Sequence, residues 1–140
     1  MKTNEAFVLD ACALIANLSG ETGGERVERL LDRARRNEIH LSLHALNLYE
    51  IYYPYLRNAG HDVAESIWSD VMAMPVKILY TFDEPLVRKA AEIKAQQRLS
   101  VADSFLLALA VSLGAKVVTS DHHEFDAVER TGLVRFEWIR

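Results

Sequence analysis

The chain has 140 residues, half of them hydrophobic, with 16 Lys and Arg against 20 Asp and Glu for a formal charge of −4. That size and apolar content predict one domain over residues 1–140 around a single core, and the acidic balance excludes a protein whose whole surface clamps nucleic acid. No apolar run approaches the roughly 18 residues that span a bilayer, and the first residues, MKTNEAF, lack the long apolar segment of a signal peptide. The expectation is a cytoplasmic protein with no membrane association. Cys12 is the only cysteine, which excludes an intrachain disulfide and a cysteine zinc cluster and fits a small buried hydrophobe.

Ala6 to Leu9 is a short apolar run that reads as a buried strand, and it hands on through Asp10 to the small and apolar residues of a helix. Asp10 thus stands at the carboxyl end of a strand, where ligands bind in open α/β sheets, or it merely caps the helix. The loop Ser19–Gly24 breaks the pattern. Glu25–Asn37 then reads as an amphipathic helix with Val27, Leu30, Leu31 and Ala34 on one face and arginines opposite. Ile39–Leu43 alternates like a strand, and ALNLYEIYYPYL has helical spacing that Pro54 is expected to kink or end.

Asp62–Met74 forms the next predicted helix, with Val63, Ile67 and Val71 on one face and Pro75 closing it. Val76–Tyr80 is a strand, and Asp83–Gln97 is a helix with Pro85 tolerated in its first turn. Val101–Leu113 is apolar almost all round and should be the central buried helix, stopped by Gly114. Lys116–Thr119 is a strand, Glu124–Arg130 a short helix and Val134–Ile139 a last strand. Strands alternating with helices over the whole length imply right-handed crossovers. The fold class is therefore an α/β/α three-layer sandwich with a mainly parallel sheet of about five strands.

Two basic clusters, Arg26/Arg29/Arg33/Arg35/Arg36 and Arg88/Lys89/Lys94/Arg98, read as solvated helix faces or as local basic surface. The carboxylates are more informative. Asp103 lies in the first turn of the apolar helix, where SVAD also fits a capping pattern. Asp121 follows the strand KVVT and a serine, as a turn or cap residue or as a second strand-end carboxylate. Glu50 sits on a helix otherwise rich in Leu, Ile and Tyr, either as a rim residue or in a site. Taken jointly, Asp10 and Asp121 end parallel strands that point the same way, and Asp103 and Glu50 start or line helices beside them. Bare carboxylates about 4 Å apart repel by roughly 4 kcal/mol per pair at an effective dielectric of 20, so a converging set needs protons or a cation. Oxygen-only ligands select Mg²⁺ or Mn²⁺.

The stretches VLDACALIA, LNLYEIYYP, LSVADSFLLALA and VVTSDHHEF, in that order and at those distances, resemble the four acidic motifs of the PIN domain. Small single-domain members of that family are the toxin ribonucleases of VapBC toxin–antitoxin modules. The resemblance covers essentially the whole chain and implies a Mg²⁺-dependent endoribonuclease. It assigns Asp10, Glu50, Asp103 and Asp121 as the catalytic, metal-binding quartet, with Glu124 and Asp126 as helpers. One departure is Cys12, which stands where the family usually has Thr or Ser and is a poorer hydrogen-bond partner. His122 and His123, adjacent after a turn, read as solvent-exposed rather than as ligands.

The resemblance also implies an RNA substrate, an antitoxin partner and a homodimer. Tyr49, Tyr52, Tyr53 and Tyr55 crowd one helix and cannot all face one core, so some are expected to form a contact surface unless they pack on the helix Asp62–Met74. Two other readings compete. A haloacid-dehalogenase-type phosphohydrolase would want an acid where Cys12 stands. A catalytically silent PIN-fold binding module would have no use for four clustered carboxylates.

Overall fold

The computed structural model describes residues 4–140. Its centre is β1 (Glu5–Leu9), whose Phe7, Val8 and Leu9 are at most 1% exposed. Side chains alternate across a strand. Phe7 and Leu9 therefore enter one core layer with Leu14, Val27, Leu31, Leu43 and Ile51, while Val8 enters the other with Leu106, Leu107, Val117 and Phe125. A strand apolar on both faces is what a parallel sheet covered by helices on both sides requires.

The remaining elements follow as α1 (Ala11–Leu18), α2 (Gly24–Arg35), β2 (Ile39–His44), α3 (Ala45–Ala59), α4 (His61–Met72), β3 (Lys77–Leu79), α5 (Glu84–Gln96), α6 (Val101–Leu113), β4 (Lys116–Thr119), α7 (His122–Thr131) and β5 (Phe136–Trp138). The five strands pair in the order β3-β2-β1-β4-β5, and every pairing is parallel where the alternation of elements predicts a mainly parallel sheet. The order reverses direction at β1, between β2 and β4. That is the topological switch point, where open α/β sheets place their ligand crevice.

Local chemistry sets most boundaries. Gly24 opens α2 because a Cβ there would lie 2.5 Å from the carbonyl oxygen of Ala16, so the two helices pack backbone to backbone. Ser100 caps α6 by accepting from the Asp103 amide at 3.1 Å, and Gly114 ends that helix in the left-handed region. As its composition predicts, α6 buries Leu106 to Ala110.

Several expected boundaries move. Pro54 neither ends nor replaces a turn of α3, which continues to Ala59. The proline withholds one N–H, owed to the carbonyl of Glu50, and the surrounding turns carry the helix through. Helix α4 stops at Met72 rather than Met74, since the residue before Pro75 disfavours helical dihedrals. The expected strands Val76–Tyr80 and Val134–Ile139 shorten to three residues each, because β3 and β5 are edges paired on one side only. Helix α7 begins two residues early, directly after its cap at Asp121.

The basic clusters are largely tied to exposed acids: Arg36 to Glu38 at 2.9 Å, Arg88 to Glu84 at 2.9 Å, and Arg35 to Asp32 and Glu28. Such pairs add little stability. The tyrosines of α3 divide. Tyr52 turns to α4, bonding Glu65 and meeting the edge of Trp68, and Tyr55 bonds Ser19 at 2.6 Å. Tyr49 and Tyr53 face outward, 63% and 38% exposed, with ring centroids 5.2 Å apart. Among the described residues no helix is long and apolar enough to cross a membrane.

Candidate active site

At the carboxyl edge of the sheet an open cavity of about 370 Å³ is lined by Asp10, Cys12, Glu50, Tyr53, Asp103, Asp121 and Glu124, among others. Five separate places in the fold deliver the carboxylates: the end of β1 (Asp10), α3 (Glu50), α6 (Asp103), the β4–α7 turn (Asp121) and the first turn of α7 (Glu124). A larger groove of about 440 Å³ runs beside Ile39 to Ser42 and Lys77 and is lined by no carboxylate, so size alone does not mark the chemistry.

Asp10 extends the ladder of β1, its amide donating to the Val118 carbonyl at 2.9 Å. It occupies the position before α1, yet its side chain makes no capping bond. Instead the Thr119 hydroxyl donates to Oδ2 at 2.8 Å, and the Cys12 thiol lies 3.2 Å from the same oxygen. Burial drives the Asp10 pKa upward, the two hydrogen bonds work against that, and the charge of Asp121 adds to it.

Asp121 does the opposite with its carboxylate. Its Oδ1 accepts from the Glu124 amide at 3.1 Å, which caps α7, while its own amide donates to Thr119 Oγ1 at 3.0 Å. Thr119, wholly buried, therefore ties the two strand ends together.

Asp103 is pushed up to about 7, chiefly by burial and then by the charges of Asp10 and Glu50, with Ser100 pulling the other way and Glu124 adding to the rise. Glu50 is raised by burial and by Asp10, opposed by a bond from Asn47 Nδ2 at 3.3 Å. The acids therefore sense one another across the cavity, as a set of like charges must.

Cys12 is more than a packing residue. Burial and the charge of Asp10 raise its thiol to about 11, so it remains a protonated donor facing Asp10 and lies 3.4 Å from Thr119 Oγ1. A hydroxyl donor to Asp10 comes from β4, through Thr119.

His122 and His123 are exposed, as expected. His122 bonds Asp126 at 2.8 Å and the Arg140 carbonyl at 2.9 Å while its ring stacks on Trp138 at 3.8 Å; its pKa is raised, first by Asp126. Asp126 is thus engaged at the β5 edge and does not line the cavity, whereas Glu124 does. Sequence reasoning missed Thr119 and Asn47. Their signals were present: Thr119 lies two residues before a strand-end aspartate, and Asn47 lies one helical turn before Glu50.

The donor set fits a hard divalent cation: five carboxylates and no imidazole line the cavity, and burial, with the charge of neighbouring acids adding to it, raises the pKa of Asp10, Glu50 and Asp103. Among the described residues no three His, Cys, Asp or Glu side chains form a ready-made ligand group. The carboxylates hold open a cavity rather than a closed cage.

Comparison with solved structures finds the same fold in VapBC from Salmonella typhimurium bound to DNA, at 18% identity over 97% of this chain and 99% of that one, with a TM-score of 0.74. VapBC2 from Rickettsia felis, bound to a fragment of promoter DNA, matches at 13% identity over 94% and 97% of the two chains with a TM-score of 0.72. The sarcin–ricin-loop-cleaving toxin VapC20 from Mycobacterium tuberculosis matches at 16% identity over 79% and 85%, with a TM-score of 0.60. Comparison with curated proteins finds no match. The sequence pattern that defines the PIN domain matches residues 7–130, and with the all-parallel sheet and the acidic edge that it carries, this chain belongs to the PIN domain family.

Proposed function

We propose that the protein is a Mg²⁺-dependent endoribonuclease, with Mn²⁺ as an alternative ion, and that it acts as the toxin of a toxin–antitoxin pair. The observation that carries this reading is the cavity at the switch point, where Asp10, Glu50, Asp103, Asp121 and Glu124 meet with no basic side chain in the lining, and where burial and neighbouring charge drive the pKa values of Asp10, Glu50 and Asp103 upward. Nothing but protons or a cation relieves such a set. Asp10, Asp103, Asp121 and Glu50 would hold the ion, which when bound supplies charge neutralisation at a phosphodiester and lowers the pKa of an attacking water.

The chain's own groups divide the remaining work. Thr119 fixes the orientation of Asp10 through its hydroxyl, and Ser100 fixes the first turn from which Asp103 projects. Glu124 lines the cavity one turn beyond Asp121 and is placed to accept a proton at a carboxylate oxygen. RNA as substrate is supported by VapC20, a toxin that cleaves the sarcin–ricin loop. An antitoxin partner is supported by the VapBC complexes among the structural neighbours. The outward pair Tyr49 and Tyr53, beside the cavity, is the surface we assign to a protein contact, either a second copy or the antitoxin. The cytoplasm is the compartment in which such a pair would meet its RNA.

The test is direct. Purified protein incubated with structured and single-stranded RNA should cut with Mg²⁺ or Mn²⁺ and not with EDTA, and co-expressed antitoxin should suppress the cut. Light scattering should give a dimer that loosens when Tyr49 and Tyr53 are changed to serine. Failure to cut any RNA with either ion, by a folded protein, would overturn the enzymatic reading.

A further inference from the structure

Asn47 is an anomaly in its own helix. It occupies the first turn of α3, wholly buried, although asparagine favours helices weakly and competes with the backbone for hydrogen bonds. Its Oδ1 is the one buried side-chain oxygen or nitrogen among the described residues that has no hydrogen-bond partner. An unsatisfied buried acceptor is a cost to folding. Leucine has the same branching at Cγ with no polar atom, and would avoid that cost.

The other end of the same amide explains its presence. Nδ2 donates to Glu50 Oε1 at 3.3 Å, across the i,i+3 spacing that brings the two side chains onto one helix face. The opposite amide orientation would set two oxygens against each other, so the donor must face the carboxylate and the acceptor must face the core. The start of α3 is itself held rigid. His44, fully buried before the helix, accepts the Leu46 amide at Nδ1 (3.2 Å) and reaches the Thr81 carbonyl with Nε2 (3.0 Å). A rigid first turn thus carries a donor aimed at a carboxylate one turn on, and that carboxylate lines the acidic cavity.

We infer that Asn47 is a positioning residue for the cation site, holding the Glu50 carboxylate towards the cavity through Nδ2–Oε1, with the orphaned Oδ1 as the local cost. Carboxylates that ligate ions are themselves hydrogen-bonded, and loss of such a supporting bond lowers metal affinity by about 10–100-fold. The inference rests on the reading of Glu50 as part of that site. It differs from a packing role in its consequence, because a packing residue would show itself in stability and not through Glu50.

The experiment is a Mn²⁺ titration by calorimetry on the full chain, with melting temperature measured in EDTA, for the parent, Asn47→Leu, Glu50→Ala and the double variant. Asn47→Leu should bind Mn²⁺ about 10-fold or more weakly while melting, free of ion, at or above the parent temperature. In the Glu50→Ala background the same change should have no further effect on Mn²⁺ affinity, since the group through which Asn47 acts is gone. Asn47→Ala provides a second variant should leucine fail to fold, and carries the same expected loss and the same cancellation. Parental affinity in the Asn47 variants, or a loss of equal size with and without Glu50, would overturn the inference. Parental Mn²⁺ affinity in Glu50→Ala, or no binding by the parent, would instead overturn the assignment of Glu50 on which it rests.

Discussion

At the β1–α1 junction the aspartate that ends the strand makes no bond to its own helix, whereas at the β4–α7 junction Asp121 accepts from the Glu124 amide at 3.1 Å and caps α7. Both junctions read alike in the sequence, as a strand, an acid and a helix, with Ser120 the one residue added between strand and acid at the second. Asp10 is 5% exposed and leans on Thr119 and Cys12; Asp121 is only partly buried and satisfies a helix end. Both carboxylates line the cavity, but the one released from capping is the more buried, and it is the one whose charge folding must desolvate. Thr119 couples the two, donating to Asp10 and accepting from the Asp121 amide.

The strongest way to break this contrast is Asp10→Asn, which keeps shape and removes charge. Cleavage should be abolished while the ion-free melting temperature holds or rises, because a buried carboxylate with a raised pKa destabilises the ionised fold. Full activity in this variant would sink the site assignment. Thr119→Val attacks the link between the junctions. It leaves the Asp10 carboxylate and the Asp121 amide short of a partner, at a cost of about 1–3 kcal/mol by urea unfolding, and should lower cleavage about 10–100-fold.

Titration sharpens the comparison further. The Asp103 carboxyl stands at about 7 in the fold against an ordinary 3.8, so its contribution to ion-free stability is complete below pH 4 and is lost as the pH rises to 7. The melting temperature in EDTA should therefore fall more steeply across that window in the parent than in Asp103→Asn. Added Mg²⁺, which favours the ionised form, should flatten the parent's slope. Equal slopes in parent and variant would show that burial and the neighbouring acids do not raise the Asp103 carboxyl.

A smaller effect separates the two strand-end acids. Asp121→Ala should cost about 1 kcal/mol more than Asp121→Asn in urea unfolding, since asparagine keeps the cap and alanine does not. At Asp10 the same pair of changes should show no cap component. The smallest effect belongs to Cys12→Ser, which replaces one donor to Asp10 by another and should leave cleavage within a few-fold of the parent. A total loss in Cys12→Ala would give the thiol a larger role than its 3.2 Å contact indicates.

Much of the fold was legible because its signals are local. The apolar run before Asp10, the all-round apolarity of Val101–Leu113 and the three-and-four spacing of Val27, Leu30, Leu31 and Ala34 each name an element without reference to the rest of the chain. The SVAD cap was legible for the same reason. Of the two outcomes expected at Pro54, an end to the helix did not occur, because the cost of one missing N–H is decided by how well the neighbouring turns are packed. The fate of the tyrosines was open, since which rings meet α4 depends on the angle at which the two helices meet.

The sequence by itself determined the order and type of the elements, the mainly parallel sheet and the candidacy of the four acids Asp10, Glu50, Asp103 and Asp121, because periodicity, capping and strand-end position are properties of a few neighbouring residues. Only the tertiary structure decided what each acid does. The Thr119–Asp10 bond joins residues 109 positions apart and exists because β1 and β4 pair with Leu9 opposite Val118. Burial of Asn47, the thiol contact of Cys12 and the engagement of Asp126 by His122 are likewise set by packing. Desolvation and hydrogen bonding act through space, and a linear pattern records them only where the partners are also neighbours in sequence.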